Sequence, residues 1–236
     1  DRIFGGRGLT EKESIIDSSW TINDEEQKNR IGHISLNFPV VNMRSPLYKT
    51  LGDLLSITME NINMIIYYKC LVVINPGENT IKPLDGEVVK YLDLITEEEY
   101  LDILDAIPLE DQYLSDDDPQ KFVAKSGADA IQDLLEKINI TDFPDELRSY
   151  KDSIIIKVIP VISPELRPIT ALKSGPYSYS SETLTNQYRH LIIRNNRSKR
   201  LVEINAPLAI MKDEKIKLQK SVESLQENIE KDKKSI

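Results

Sequence analysis

Apolar residues in the last quarter of the chain recur three and four positions apart. Leu184, Tyr188, Leu191 and Ile192 form one stripe, and Met211, Leu218, Val222, Leu225 and Ile229 form a second, narrower one. This period puts each set along one side of an α-helix, and the thin second stripe is that of a coiled-coil seam. Between them "INAPLA" (204–209) breaks the run, with Pro207 suited to the first turn of a new helix. Ser180 or Ser181 is the expected cap of the first helix, which should run to about Ile204. Two long helices joined by a short connection predict an antiparallel helical hairpin, and their polar outward faces predict that it protrudes.

Upstream the pattern is mixed. The first 29 residues are polar and glycine-bearing and read as mostly irregular, and "RIGHISLNFPVV" (30–41) is strand-like. "PLYKTLGDLLSI" (46–57) is a helix candidate weakened by Gly52, and "MIIYYKCLVVINPG" (64–77) reads as a buried strand or bent strand pair. Thr96 and Glu99 make a capping box ahead of Tyr100, Ile103 and Leu104, and Pro108 ends that helix. "GADAIQDLLEKI" (127–138) is amphipathic at helical spacing. In "SIIIKVIPVISPELRPI" (153–169) a strand leads into Pro160, Pro164 and Pro168, a spacing that suits neither a helix nor a central strand. The expected fold class is therefore α+β. It comprises a mixed body of short strands and helices over 1–169, a polar loop at 170–180, and a coiled-coil hairpin over 181–236.

Composition narrows the chemistry. Of 236 residues, 40% are hydrophobic and 29% charged, the balance of a soluble globular chain. A net charge of −9 argues against a nucleic-acid binder that uses its whole surface, since phosphate binding needs clustered cations. Charge is unevenly placed. Residues 91–120 hold eleven acids and no Lys or Arg, whereas Arg194, Arg197, Lys199 and Arg200 crowd into seven positions of the first hairpin helix. Taken alone, such a run is usually a solvated face; it also suits an acidic, hydrogen-bonding partner, because planar guanidinium forks pair with carboxylates. Cys70 is the only cysteine and reads as a small buried hydrophobe, which leaves no intrachain disulfide and no cysteine-based zinc site. Asp116–Asp118 lacks the glycine bend of a calcium loop and reads as solvated. His33 reads as a satisfied structural histidine and His190 as a surface residue, so neither a metal nor a cofactor is expected. No apolar run reaches membrane-spanning length and no signal-peptide pattern opens the chain, which points to the cytosol.

Three segments, "VIPVISPELRPI", "YRHLIIRNNRSKRLVEINAP" and "DEKIKLQKSVESL", together resemble the N-terminal clamp region of the bacterial RNA polymerase β′ subunit. "DRIFG", "RIGHISL", "YYKCLVVINPG", "LTEEEYLDIL" and "KSGADAIQDLL" precede them in the order of that family, in a form most similar to the Bacteroidetes version. The resemblance implies that the hairpin is the pair of clamp helices, the docking site of σ factor region 2. It assigns σ contact to Arg194, Asn195, Arg197 and Arg200 on the first helix and to Glu214, Gln219 and Ser221 on the second. Lys212, Ile216 and Ser221 depart from the family pattern there. The loop at 170–180 takes the place of the family's lid, lacks its arginine, and offers Tyr177 and Tyr179 for stacking on bases. Where the family carries a four-cysteine zinc segment, "GRGLTEKESIIDSSWTINDEEQKN" has no cysteine. The triple-aspartate motif that holds catalytic magnesium does not occur, so the chain is expected not to be an enzyme on its own. The opening at "DRIFG", mid-motif for the family, reads as truncation. Three roles follow from the resemblance: a clamp module meeting σ and other polymerase subunits, a stand-alone regulator that sequesters σ, or a nucleic-acid-binding paralogue.

Overall fold

The computed structural model describes residues 32–77, 80–83, 86–115, 118–139, 143–163, 169–171, 179–181 and 183–234. The expectations for the first 31 residues, Asp116, Asp117, Pro164, Pro168 and Tyr177 lie outside that set. Strand β1 (Gly32–Val41) pairs antiparallel with β5 (Ile155–Val161), from Gly32 opposite Val161 to Val41 opposite Ile155, and the register shifts between Ser35 and Val40. Among the described residues this sheet has two strands, so Pro160 sits on an edge strand, where its missing N–H does no harm. His33 lies opposite Pro160 and is exposed.

A 3-10 turn (Pro46–Thr50) leads into α1 (Leu51–Leu55) and α2 (Met59–Ile66). The first residues of "MIIYYKCLVVINPG" are thus helical, correcting the strand expectation. The Thr58 side chain accepts the Asn61 N–H as an N-cap, and Ile62, Ile65 and Ile66 share one buried face, which outweighs their β-branched character. Tyr68, at φ +58°, turns the chain into β2 (Leu71–Asn75), the centre of an antiparallel sheet ordered β3 (Leu94–Ile95), β2, β4 (Val123–Lys125). Cys70 is buried beside it, and burial pushes its thiol pKa up.

Helix α3 (Glu97–Ala106) opens with the expected capping box: the Glu99 N–H reaches Thr96 Oγ1 at 3.2 Å and the Thr96 N–H reaches Glu99 Oε2 at 2.7 Å. The Thr96 bonds hold the Glu99 carboxyl below its ordinary range. Pro108 separates α3 from the single turn α4 (Leu109–Gln112). Helix α5 (Gly127–Lys137) buries Ala130, Ile131, Leu134 and Leu135 against α2, β1 and β2.

Strands β6 (Ile169–Ala171) and β7 (Tyr179–Ser181) pair with each other, so Ser180 and Ser181 belong to a strand and the next helix starts at Thr183. The hairpin follows as α6 (Thr183–Glu203) and α7 (Leu208–Lys234). Asn205, at φ +48°, closes α6, and the Ala206 N–H returns to the Leu201 carbonyl at 2.9 Å. The apolar seam does more than join the two helices. Leu184, Tyr188, Leu191, Leu218, Val222 and Leu225 form one core with Ile34, Val40, Ile159 and Val161 of the β1–β5 pair. The base of the hairpin is therefore seated in the body. Its far end is what stands clear, with Ile204 71% and Leu208 86% exposed.

Candidate functional site: the basic face of the hairpin

Helix α6 carries the cationic run, and α7 decides which part of it faces solvent. Arg194 Nη1 lies 3.4 Å from Glu214 Oε1, and Arg197 Nε lies 3.3 Å from Glu214 Oε2. The Glu214 side chain is 1% exposed, whereas those of Arg194 and Arg197 are 36% and 56% exposed. Glu214 is thus an internal acceptor for two arginines and not part of the outer surface to which the sequence assigns it. A carboxylate can be buried here because both of its oxygens face guanidinium groups.

Asn195 also works inward. Its Oδ1 accepts the Asn37 N–H at 2.7 Å and its Nδ2 donates to the Ser35 carbonyl at 2.8 Å, bridging the irregular stretch of β1. This explains an asparagine in mid-helix, a position it otherwise disfavours. Gln219 repeats the device one strand-end away. Its Oε1 accepts the Val41 N–H and its Nε2 donates to the Val41 carbonyl, both at 2.8 Å, with only 3% of the residue exposed. Gln219 therefore pairs with β1 as a neighbouring strand would, a correction to its expected place on a contact surface. Ser221 is half-buried and donates to the Lys217 carbonyl within its own helix. Arg200 is exposed, together with Asn196 and Lys199.

Two features of this face are not in the sequence expectation. The first is a cleft of about 350 Å³ between α6 and α7, where His190 and Arg194 face Lys217, Lys220 and Ser221. The signal was the matching of positions 190 and 194 with 217, 220 and 221 across an antiparallel pair, which requires the register of the helices. The second is an apolar tip. Val202, Ile204, Leu208 and Ile210 are all more than 40% exposed there, and Ile193, at the middle of α6 beside Arg194, is exposed too. Each lies off the two buried stripes, and that was the legible sign. Tyr179 pairs through its backbone with Ala171. No group of three or more His, Cys, Asp or Glu among the described residues could hold a metal ion, and no described helix is long and apolar enough to cross a membrane.

Comparison with known proteins shows the family. The family model described as RNA polymerase Rpb1, domain 1, matches residues 98–236, which include both hairpin helices. The DNA-directed RNA polymerase subunit beta' of Flavobacterium johnsoniae is 42% identical over 241 residues, covering 87% of this chain and 16% of that protein. The subunit of the same name from Bacteroides thetaiotaomicron is 42% identical over 236 residues, covering 86% of this chain, and that of Karelsulcia muelleri is 39% identical over 241. The chain spans about 16% of the length of these relatives. With a matching domain model over more than half its length and this identity over most of it, the chain belongs to the RNA polymerase β′ subunit family and corresponds to part of that subunit's N-terminal region.

Proposed function

We propose that the chain acts in transcription as a clamp-type module of the β′ family that docks a σ factor on the outer face and tip of its helical hairpin. Family membership supports the setting in transcription. The single observation that carries the docking assignment is the outward face of α6 and the tip, where exposed Arg197 and Arg200 lie between Ile193 at mid-helix and Ile204 and Leu208 at the tip, all three exposed. Guanidinium groups around an exposed apolar patch make a surface for an acidic, amphipathic protein segment, and patches of that kind mark interaction sites. Arg194, Asn196, Arg197 and Arg200 along α6 and Ser221 at the middle of α7 are the solvent-facing candidates; half-buried Asn195 ties them to β1, and buried Glu214 and Gln219 support them from inside. The proposed work is recognition, with no catalytic group assigned.

The test is a calorimetric titration against the housekeeping σ of the same organism at moderate salt. The expected result is one-to-one binding that weakens at least tenfold in the Arg200→Glu variant, with the fold unchanged by circular dichroism, since Arg200 takes no part in holding buried Glu214. Equal affinity for the variant and the parent would overturn the docking surface. A σ-bound chain that stays outside the assembled polymerase would instead make the same contact one of sequestration.

A further inference from the structure

The body-facing side of α7 carries a row of polar residues three and four apart, each reaching a different part of the body. Lys212 pairs with Glu97 of α3, Gln219 with the Val41 backbone, Glu223 accepts from Tyr67 Oη at 2.7 Å, and Gln226 Nε2 donates to Asn42 Oδ1 at 3.0 Å. Lys215 differs from these in meeting three elements at once. Its Nζ lies 3.4 Å from Asp129 Oδ2, 4.7 Å from the centroid of the Phe38 ring and 5.7 Å from that of Tyr68. Phe38 comes from the irregular stretch of β1, Tyr68 from the turn between α2 and β2, and Asp129 from the first turn of α5.

The socket is built at the expense of local backbone comfort. Tyr68 adopts φ +58°, a left-handed conformation that an aromatic residue rarely takes. Gly127 adopts φ +75°, and a Cβ there would come within 2.2 Å of the Tyr68 ring, so glycine is what allows the ring to lie against the start of α5. Two aromatic faces and a carboxylate around one ammonium form a cationic receptacle, better suited to a compact point charge on a flexible stem than to a neutral side chain. Lys215 also adjoins Glu214, the residue that holds Arg194 and Arg197. Beyond it toward the tip, the Lys212–Glu97 pair is exposed, and such pairs hold little.

We propose that Lys215 is the positioning residue that fixes the angle of the hairpin on the body, through the Phe38–Tyr68–Asp129 socket, and thereby sets how Arg197 and Arg200 are presented. Its functional half rests on the docking reading above. The seat itself does not.

The experiment places spin labels on the full chain at Glu60→Cys, on the body, and Lys199→Cys, near the tip, both exposed positions, with buried Cys70 left in place. Pulsed dipolar spectroscopy reads the distance distribution between them. A single narrow distribution is expected in the parent and in Lys215→Arg, and a broadened or shifted one in Lys215→Met and in Phe38→Leu, which removes one wall of the socket by a milder change. σ affinity should fall roughly fivefold in Lys215→Met and recover in Lys215→Arg. A distribution unchanged in Lys215→Met and Phe38→Leu overturns the seat. A broadened distribution with unchanged σ affinity overturns its link to docking. If the parent fails to bind σ, the docking reading falls with the functional half, and the distances still decide the seat.

Discussion

A carboxylate sealed from water, with a guanidinium at each oxygen, responds to mutation unlike a surface acid. Removing both Arg194 and Arg197 as alanines would leave Glu214 buried without its partners, a change expected to cost about 3–5 kcal/mol. Either alanine alone should cost about 1–3 kcal/mol, because the other arginine stays. Urea unfolding of the single and double variants measures both figures, and a loss below about 1 kcal/mol in the double variant, the size of a surface pair, would contradict the shared burial of Glu214. It follows that weaker binding by an Arg194 variant mixes a lost surface contact with a loosened hairpin, so Arg200 is the cleaner reporter. At Gly127 the expectation is equally sharp. Alanine there must take φ +75° and push aside the Tyr68 ring, so Gly127→Ala should cost more than about 1 kcal/mol and change the near-ultraviolet dichroism of the tyrosines.

Among the elements, those that rest on local signals were legible in the sequence. The Thr96–Glu99 box, the stop at Pro108, the face of α5 and the two stripes of the hairpin each lie within a few residues of chain. Two elements defeated local reasoning. Helix α2 has β-branched residues but is set by its Thr58 cap and buried face, and Ser180 and Ser181 have the chemistry of a cap but the pairing of a strand. The site was legible in outline only, because the residues that look outward by type are turned inward by partners far along the chain. Asn195 meets Asn37 across 158 residues and Gln219 meets Val41 across 178, and no spacing rule carries such a pairing. The Gln219 contact makes its own prediction. Gln219→Ala strips two backbone groups of β1 of their partner and should cost about 1–3 kcal/mol, with faster amide exchange at Val41 as the accompanying sign.

For the molecule as a whole, the body and hairpin share partly buried tyrosines as well as apolar residues, and this gives the fold an alkaline limit. Burial, then the hydrogen bond to Glu223, pushes the Tyr67 pKa up, and burial followed by the Asp129 charge does the same for Tyr68. In the unfolded chain these phenols ionise near their ordinary value of about 10. Above that pH the folded state binds more protons than the unfolded one, so stability is full below about pH 10 and falls as pH rises further. Denaturant midpoints between pH 8 and 11 should show this decline, and Tyr67→Phe should reduce it; a flat profile would contradict the raised pKa of both phenols. The seating of the hairpin has a mechanical meaning too. Helix α6, 21 residues long, extends for about 30 Å, with its inner half and a little more, as far as Asn195, held on the strands and its outer end loaded by whatever binds there. It is a lever whose fulcrum is the bulged edge of β1, so a pull on the tip is felt as torque on a strand pair at the heart of the body.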